Sequence, residues 1–338
     1  MQKEEREEEL AKTKKDKNLS KWASKNETIK TSFPIYLSLW LIKYAPRFFL
    51  NFVIKCASFF FYIFGKNVRK ECKQYQKQLK SYKPESIKKI SAFRQIEAFA
   101  ITIIEKLECW VRKDFPFKVD YNHGDLTELI EYINSGKGAV LLCSHLGNSE
   151  IFRNLASRNE IKLNREVPVS VLMDLGATSN FTNTIKKVNP EFSQNIVDVN
   201  NINPGTIEKL VETIDNGGIV ICAADRVSKY NENVNVKEKF LGKTAPFPYG
   251  VYLITMLLKA PVYYIFGLRK KDNGYNRKYN FITRKSAVNT NCKRSERETN
   301  INQMCLEFVH ELESHCVEHP YQWYNFFDFW EKSEEQDN

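Results

Sequence analysis

The sequence predicts an α/β fold with a mixed, mostly parallel central sheet flanked by helices, preceded by a helical, aromatic-rich N-terminal region. Three observations carry this. Short apolar runs of strand character alternate with helical patterns over the last two thirds of the chain, as βα units require. One arrangement occurs twice: Leu126–Ile133, SGKG and AVLLCSH give a helix, a turn and a strand, and Ile207–Ile214, DNGG and IVICAAD repeat it. Glycines between helix and strand suit helix C-caps. Finally, residues 33–65 are apolar and aromatic but are interrupted by Lys43, Arg47 and Lys55, with Pro46 in the middle. A proline there breaks a helix in two.

Taken in order, residues 1–31 (MQKEEREEELAKTKKDK and onward) form a charged, solvated segment. An acidic start of this kind is not a signal peptide. Residues 32–113 form a helical region for membrane docking. Its uncharged runs, Phe33–Ile42, Phe48–Ile54 and Cys56–Gly65, each fall short of the roughly 20 apolar residues that a span needs. Two aromatic helices with basic punctuation suit a membrane interface, although a hairpin buried against the sheet would show the same pattern. Lys66–Tyr82 reads as a polar helix. Ile87–Val111 reads as a helix whose stripe of Ile90, Phe93, Ile96, Phe99, Ile103, Leu107 and Trp110 packs into the core.

Residues 114–330 form the α/β domain, and 331–338 a tail. Besides Ala139–Cys143 and the run from Ile219, strands are expected at Val167–Met173, Ile196–Val199, Pro261–Leu268 and Tyr279–Thr283. Helices are expected at Phe181–Val188, Tyr249–Leu258 and Arg297–Val317.

Composition narrows the function. A chain of 338 residues can bury a sizeable core. Its net charge of +10 favours an acidic partner: anionic headgroups, an acidic carrier protein or nucleic acid. The basic residues are scattered and no nucleic-acid module is recognisable, so nucleic acid is not expected. Eight cysteines form no C-x-x-C pair, and Cys143 and Cys222 lie inside strand patterns. Buried, reduced thiols on the cytosolic side follow. His310, His315, Cys316 and His319 fit no zinc spacing, and neither a P-loop nor G-x-S-x-G is present.

The chemistry is expected in GAVLLCSHLGNSEIFRNLA, residues 138–156. His145 follows the apolar strand, where open α/β sheets place their sites. Asn148 or Ser149 would cap the next helix, and Glu150 lies in its first turn. Folded back, that carboxylate could hold the imidazole as a general base. The His-x4-acid spacing is weak alone: with 5 His and 41 acidic residues, chance gives about 0.6 such pairs. His123 and Glu128 make a second match, but His123 precedes a polar helix and is read as following no strand.

If the two repeated strands are parallel neighbours, His145 and Asp225-Arg226 emerge on one sheet edge. Arg226 could grip a phosphate or carboxylate there, or could make a structural pair with Asp225. The segment 240–250, FLGKTAPFPYG, reads as a loop able to line a pocket and offer N–H groups to an oxyanion. PYQWYNFFDFW, at 320–330, packs on the domain or touches membrane.

These blocks, in order over about residues 20–330, resemble the bacterial lipid A-type (lauroyl/myristoyl) acyltransferases of the lysophospholipid acyltransferase-like superfamily. SHLGNSEIFRNLA resembles the family's His-x4-acid motif. ADRV, FLGKTAPFPYG and KAPVYYIFGLR resemble the blocks that follow it, and PYQWYNFFDFW the C-terminal block of one subgroup. The resemblance implies transfer of a fatty acyl group from a thioester, on acyl carrier protein or coenzyme A, to a hydroxyl or amine of a membrane lipid or lipid precursor. It implies no cofactor beyond that donor, and work at the cytoplasmic face of the inner membrane as a peripheral or monotopic protein. It carries the base to His145, the orienting acid to Glu150 and substrate binding to Arg226. Asp225, Asn148, Arg153, Phe240 and Gly242, in the same blocks, complete the expected substrate-binding set. The alternative is a catalytically inactive, membrane-associated lipid-binding protein, which would not need His145 or Glu150.

Overall fold

The structure is a computed structural model that describes residues 33–111, 116–157, 160–175, 187, 196–227, 234–272 and 274–330. Helices α1 (Phe33–Tyr44) and α2 (Arg47–Phe64) are separated at Pro46, whose φ of −67° and ψ of 152° are extended rather than helical. Helix α3 (Lys66–Tyr82) follows after Gly65. Helix α4 (Ala92–Val111) starts five residues later than the sequence predicts, at Ala92 rather than Ile87. The reason is local: the Gln76 side chain accepts from Ser91 N at 2.6 Å and donates to Ser91 O, holding the chain extended before α4.

Helix α2 packs on α4. It buries only Leu50, Ile54 and Ser58, one face at helical spacing. Phe48, Phe52, Phe59, Phe60 and Phe64 stay exposed, at 58–76 % of their surface. By length and composition α2 could cross a membrane; 17 % of it is buried. At 18 residues it is about 27 Å long.

The strands are β1 (Lys118–Gly124), β2 (Ala139–Cys143), β3 (Val169–Met173), β4 (Ile196–Asp198), β5 (Ile219–Ala223), β8 (Val262–Arg269) and β9 (Lys278–Lys285), in the sheet order β1-β9-β8-β2-β5-β3-β4. Every pairing is parallel except β8 with β9. The sheet is therefore mixed and mostly parallel, as the sequence predicts. Helices α5 (Leu126–Asn134), α6 (Glu150–Ser157), α7 (Pro204–Asp215), α8 (Tyr249–Leu258) and α9 (Arg297–Glu318) connect or follow the strands.

Alternation along the central strands divides the core. Leu141, Cys143, Ile221 and Ile265 face α1, α2, α4, α5 and α6, whereas Val140, Leu142, Val220 and Tyr264 face α3, α7, α8 and α9. Parallel strands covered on both faces have this continuous apolar character. Two buried ion pairs tie α4 to the sheet. Arg269 bonds Glu105 at 3.2 Å, Thr102 and Ala98 O, and Arg277 bonds Glu108 and Tyr275.

Two expectations need correction. His123 does not lack a strand: it lies within β1, a polar edge strand paired with β9 alone and irregular between Asp120 and His123. The expected loop at 240–250 is largely a hairpin of β6 (Asn235–Phe240) and β7 (Lys243–Pro248), leading directly into α8. Its two-residue turn, Leu241-Gly242, has φ of 51° and 81°, the left-handed pair that matches strand twist in a tight hairpin. The expected helix at Phe181–Val188 lies outside the described residues, Lys187 excepted.

Candidate active site

Strands β2 and β5 are parallel neighbours with Ala139 opposite Ile219 and Cys143 opposite Ala223. Continued two residues past the strand ends, the same register sets His145 against Asp225. His145 Nδ1 lies 2.8 Å from Asp225 Oδ1, and the His145 backbone N–H donates to Oδ2 at 2.9 Å. Trp323 Nε1 donates to Oδ2 from 3.3 Å. Asp225 is fully buried, while the imidazole is 36 % exposed.

A carboxylate facing Nδ1 keeps the ring proton there and leaves the lone pair on Nε2. Burial opposes the Asp225 charge, but His145, through charge and hydrogen bonds, and then Arg226 outweigh it and hold the pKa at about 2. Desolvation and the Arg226 charge lower the His145 pKa against the pull of Asp225. The ring is therefore neutral at neutral pH and able to accept a proton. Burial brings Arg226 down to about 10, against the attraction of Asp225, so it remains a cation.

The turn that carries His145 is fixed from both sides. Gly147 has φ +72°, and a Cβ there would stand 2.2 Å from Gly267 O; only glycine allows that conformation and that approach. Asn148 N donates to Gly267 O at 2.7 Å. The Asn148 side chain accepts from Glu150 N at 3.1 Å and so caps α6.

The opposite side is the C-terminal segment. Gly147 N donates to Gln322 O at 2.9 Å, Tyr324 N donates to His145 O at 3.1 Å, and Leu146 bridges Trp323 in antiparallel fashion. Arg226 Nη2 donates to Tyr324 O at 2.6 Å, with the guanidinium 5.6 Å from the Phe327 ring. PYQWYNFFDFW thus packs on the domain, with Gln322, Trp323 and Asn325 buried.

His145, Asp225, Arg226 and Asn148 are accordingly brought together at one rim. Glu150 opens α6 beside them and is partly buried; the Nδ1 position is taken by Asp225. Arg153 lies one turn along α6, its side chain outside the described residues. Phe240 is buried with its ring 5.0 Å from that of Trp323. Gly242 sits apart on the hairpin turn, facing Tyr82. His315 packs on Phe266 at 4.6 Å, and burial takes its pKa down to about 4.

Two features of the rim escape sequence reading: Asp225 as the partner of His145, and Trp323. The first was within reach. His145 stands six residues after Ala139, and Asp225 six after Ile219. Trp323 carries no such signal.

The mixed, mostly parallel sheet and its rim define the class by structure: an α/β protein with a histidine–carboxylate pair at the carboxyl ends of two neighbouring parallel strands. More particularly, the family described as bacterial lipid A biosynthesis acyltransferase matches residues 21–332, and the chain belongs to it. Among curated proteins, none matches the chain.

Proposed function

We propose that this protein moves a fatty acyl chain from an acyl thioester, on acyl carrier protein or coenzyme A, to a hydroxyl or amine of a membrane lipid or lipid precursor, with His145 as the general base. The observation that carries this reading is the 2.8 Å contact between His145 Nδ1 and the buried Asp225. With Nδ1 engaged, Nε2 of the partly exposed ring is the proton acceptor.

In the reaction, Nε2 takes the acceptor's O–H or N–H proton as that oxygen or nitrogen bonds to the thioester carbonyl carbon. Asp225 balances the imidazolium charge. The C–S bond then breaks, and the thiolate leaves with the proton from Nε2. Such general-base help is worth about 10²–10⁴ in rate. Glu150 is a second carboxylate of the rim. Arg226 binds an anionic part of a substrate. Asn148 and Arg153 complete the substrate-binding set; Phe240 is buried behind it against Trp323, and Gly242 stands apart on the hairpin turn. No cofactor enters beyond the donor.

The exposed aromatic side chains of α2, with Arg47 and Lys55 on the same helix, support contact with a membrane, and on this reading the protein works at the cytoplasmic face of the inner membrane. The net charge of +10 suits acidic headgroups and an acidic carrier protein. On this reading residues 32–113 dock and 114–330 catalyse.

The test is His145→Ala, assayed for transfer from acyl-carrier-protein and acyl-CoA donors onto extracted inner-membrane lipids. Transfer should vanish while circular dichroism and melting stay unchanged. Undiminished transfer would end the proposal, and no transfer by the unaltered protein would favour a silent lipid-binding role.

A further inference from the structure

The C-terminal aromatic segment has a part in the chemistry that neither its composition nor the mechanism above assigns. Two backbone hydrogen bonds, which flank the antiparallel Leu146–Trp323 bridge, lay residues 322–324 along the His145–Gly147 turn as a short strap. The strap is anchored on its far side. Gln322 exchanges two 2.9 Å hydrogen bonds with the backbone N and O of Arg269, and Tyr324 OH meets Thr102 at 2.7 Å and Arg269 at 3.1 Å. Trp323 is fully buried among Tyr75, Phe240, Phe329 and Trp330. Within this apolar packing its one polar atom is spent on Asp225.

We propose that Trp323 is a positioning residue: its indole N–H holds Asp225 Oδ2, so that Oδ1 stays aimed at His145 Nδ1 and the carboxylate charge is shared between two donors besides the ring. The strap is the device that seats the indole. A packing role alone would be met by any large ring at 323. Setting the basicity of His145 requires the N–H.

Among the described residues, the charges that act on His145 are Asp225, Arg226 and Lys106, with Glu150 beside them at the start of α6. Of these, only the Asp225 carboxylate is touched by the indole. Without that donor the carboxylate is less stabilised and pulls harder on the Nδ1 proton. The imidazolium is then favoured, and the His145 pKa rises. A hydrogen bond to a charged group is strong enough to move a neighbouring pKa by roughly half a unit when part of its effect is transmitted.

Trp330 supplies the control. It belongs to the same aromatic cluster, and its Nε1 donates to Phe240 O at 2.9 Å rather than to the rim. Trp323→Phe and Trp330→Phe each lose one buried indole N–H, but only the first loses it from Asp225. His145 is titrated by NMR on protein with ¹⁵N-labelled histidine, and the acid limb of kcat/KM is measured on the same variants. Trp323→Phe should raise the His145 midpoint by roughly half a unit, move the acid limb up equally and lower the plateau rate several-fold. Trp330→Phe should leave both midpoints where they are. Equal shifts in the two variants, or none in Trp323→Phe, would overturn the proposal.

Should Trp323→Phe not fold, the unaltered protein decides. Its Trp323 indole N–H resonance, assigned by elimination with the other four Trp→Phe variants, should titrate at the His145 midpoint. A flat resonance would refute the assignment. The inference rests on His145 being the base. The NMR titrations need no turnover, so coupling without acyl transfer would sink the reaction and leave the placement of Trp323 intact.

Discussion

Replacing Asp225 by asparagine is the most discriminating perturbation of the rim. Among the described residues, Oδ2 accepts two N–H groups, from the His145 backbone and from Trp323, while Oδ1 meets Nδ1. An amide in this place keeps its oxygen where two donors converge and turns its NH₂ toward the imidazole. Nδ1 must then accept, the ring proton moves to Nε2, and the base loses its lone pair. A wrong tautomer of this kind costs about 10⁴ in kcat where a histidine base depends on a carboxylate. Asp225→Asn should therefore lower kcat/KM by about 10²–10⁴, the range of general-base catalysis, whereas Glu150→Gln, which leaves Nδ1 and its partner in place, should cost less than about tenfold. The assay is thiol release from an acyl thioester donor in the presence of acceptor lipid.

Asp225 also has a stability signature. Its pKa stands at about 2 in place of 3.8, a lowering worth on the order of 2 kcal/mol. A depressed carboxylate stabilises the fold above its unfolded pKa, and the contribution is lost as pH falls from about 4 through about 2. Acid denaturation of Asp225→Asn should lack that component. Near-normal kcat/KM in Asp225→Asn beside a hundredfold loss in Glu150→Gln would refute the reasoning and return the orienting role to Glu150.

Three further outcomes follow from the packing. Gly147→Ala should destabilise the protein by at least about 1–3 kcal/mol, the usual cost of a strained backbone conformation, because the added Cβ would also meet Gly267 O at 2.2 Å; urea denaturation measures it. Glu105→Ala leaves the buried Arg269 charge without its carboxylate and should cost about 3–5 kcal/mol, whereas Glu128→Ala, at an exposed pair with Lys285, should cost no more than about 1 kcal/mol. Phe52, Phe59 and Phe60 are exposed on α2, so changing all three to Ser should leave the melting temperature unaltered and sharply reduce cosedimentation with phosphatidylglycerol vesicles; unchanged sedimentation would count against membrane docking by this face.

Much of this architecture is legible in the chain because β2, β5 and β8 are apolar on both faces and therefore read as unbroken runs. Strand β1 hides because KVDYNHG is polar and pairs on one side only; its partner β9, distant in sequence, is what makes it a strand. The β6–β7 hairpin hides because prolines at 246 and 248 resemble loop punctuation, although a two-stranded ribbon tolerates them at its edges. At the rim, His145 and the cap on α6 follow from local spacing. Its acid does not, because a nearby Glu150 competes for attention with an Asp225 that only strand pairing brings close. Trp323 is harder still: in a stretch of seven aromatics, nothing local marks which ring faces the rim.

Because the pairing of β2 with β5 sets the His145–Asp225 contact, their separation of 80 positions is not itself a ruler. What is metered is the count from the start of each strand to its functional residue. Insertions or deletions in the connections between α6 and α7 can lengthen or shorten that interval without moving proton acceptor or acid. Removing a single residue from either strand would turn one of the two to the other side of the sheet. Related chains should therefore vary freely in the distance between histidine and aspartate and hold both six-residue counts constant.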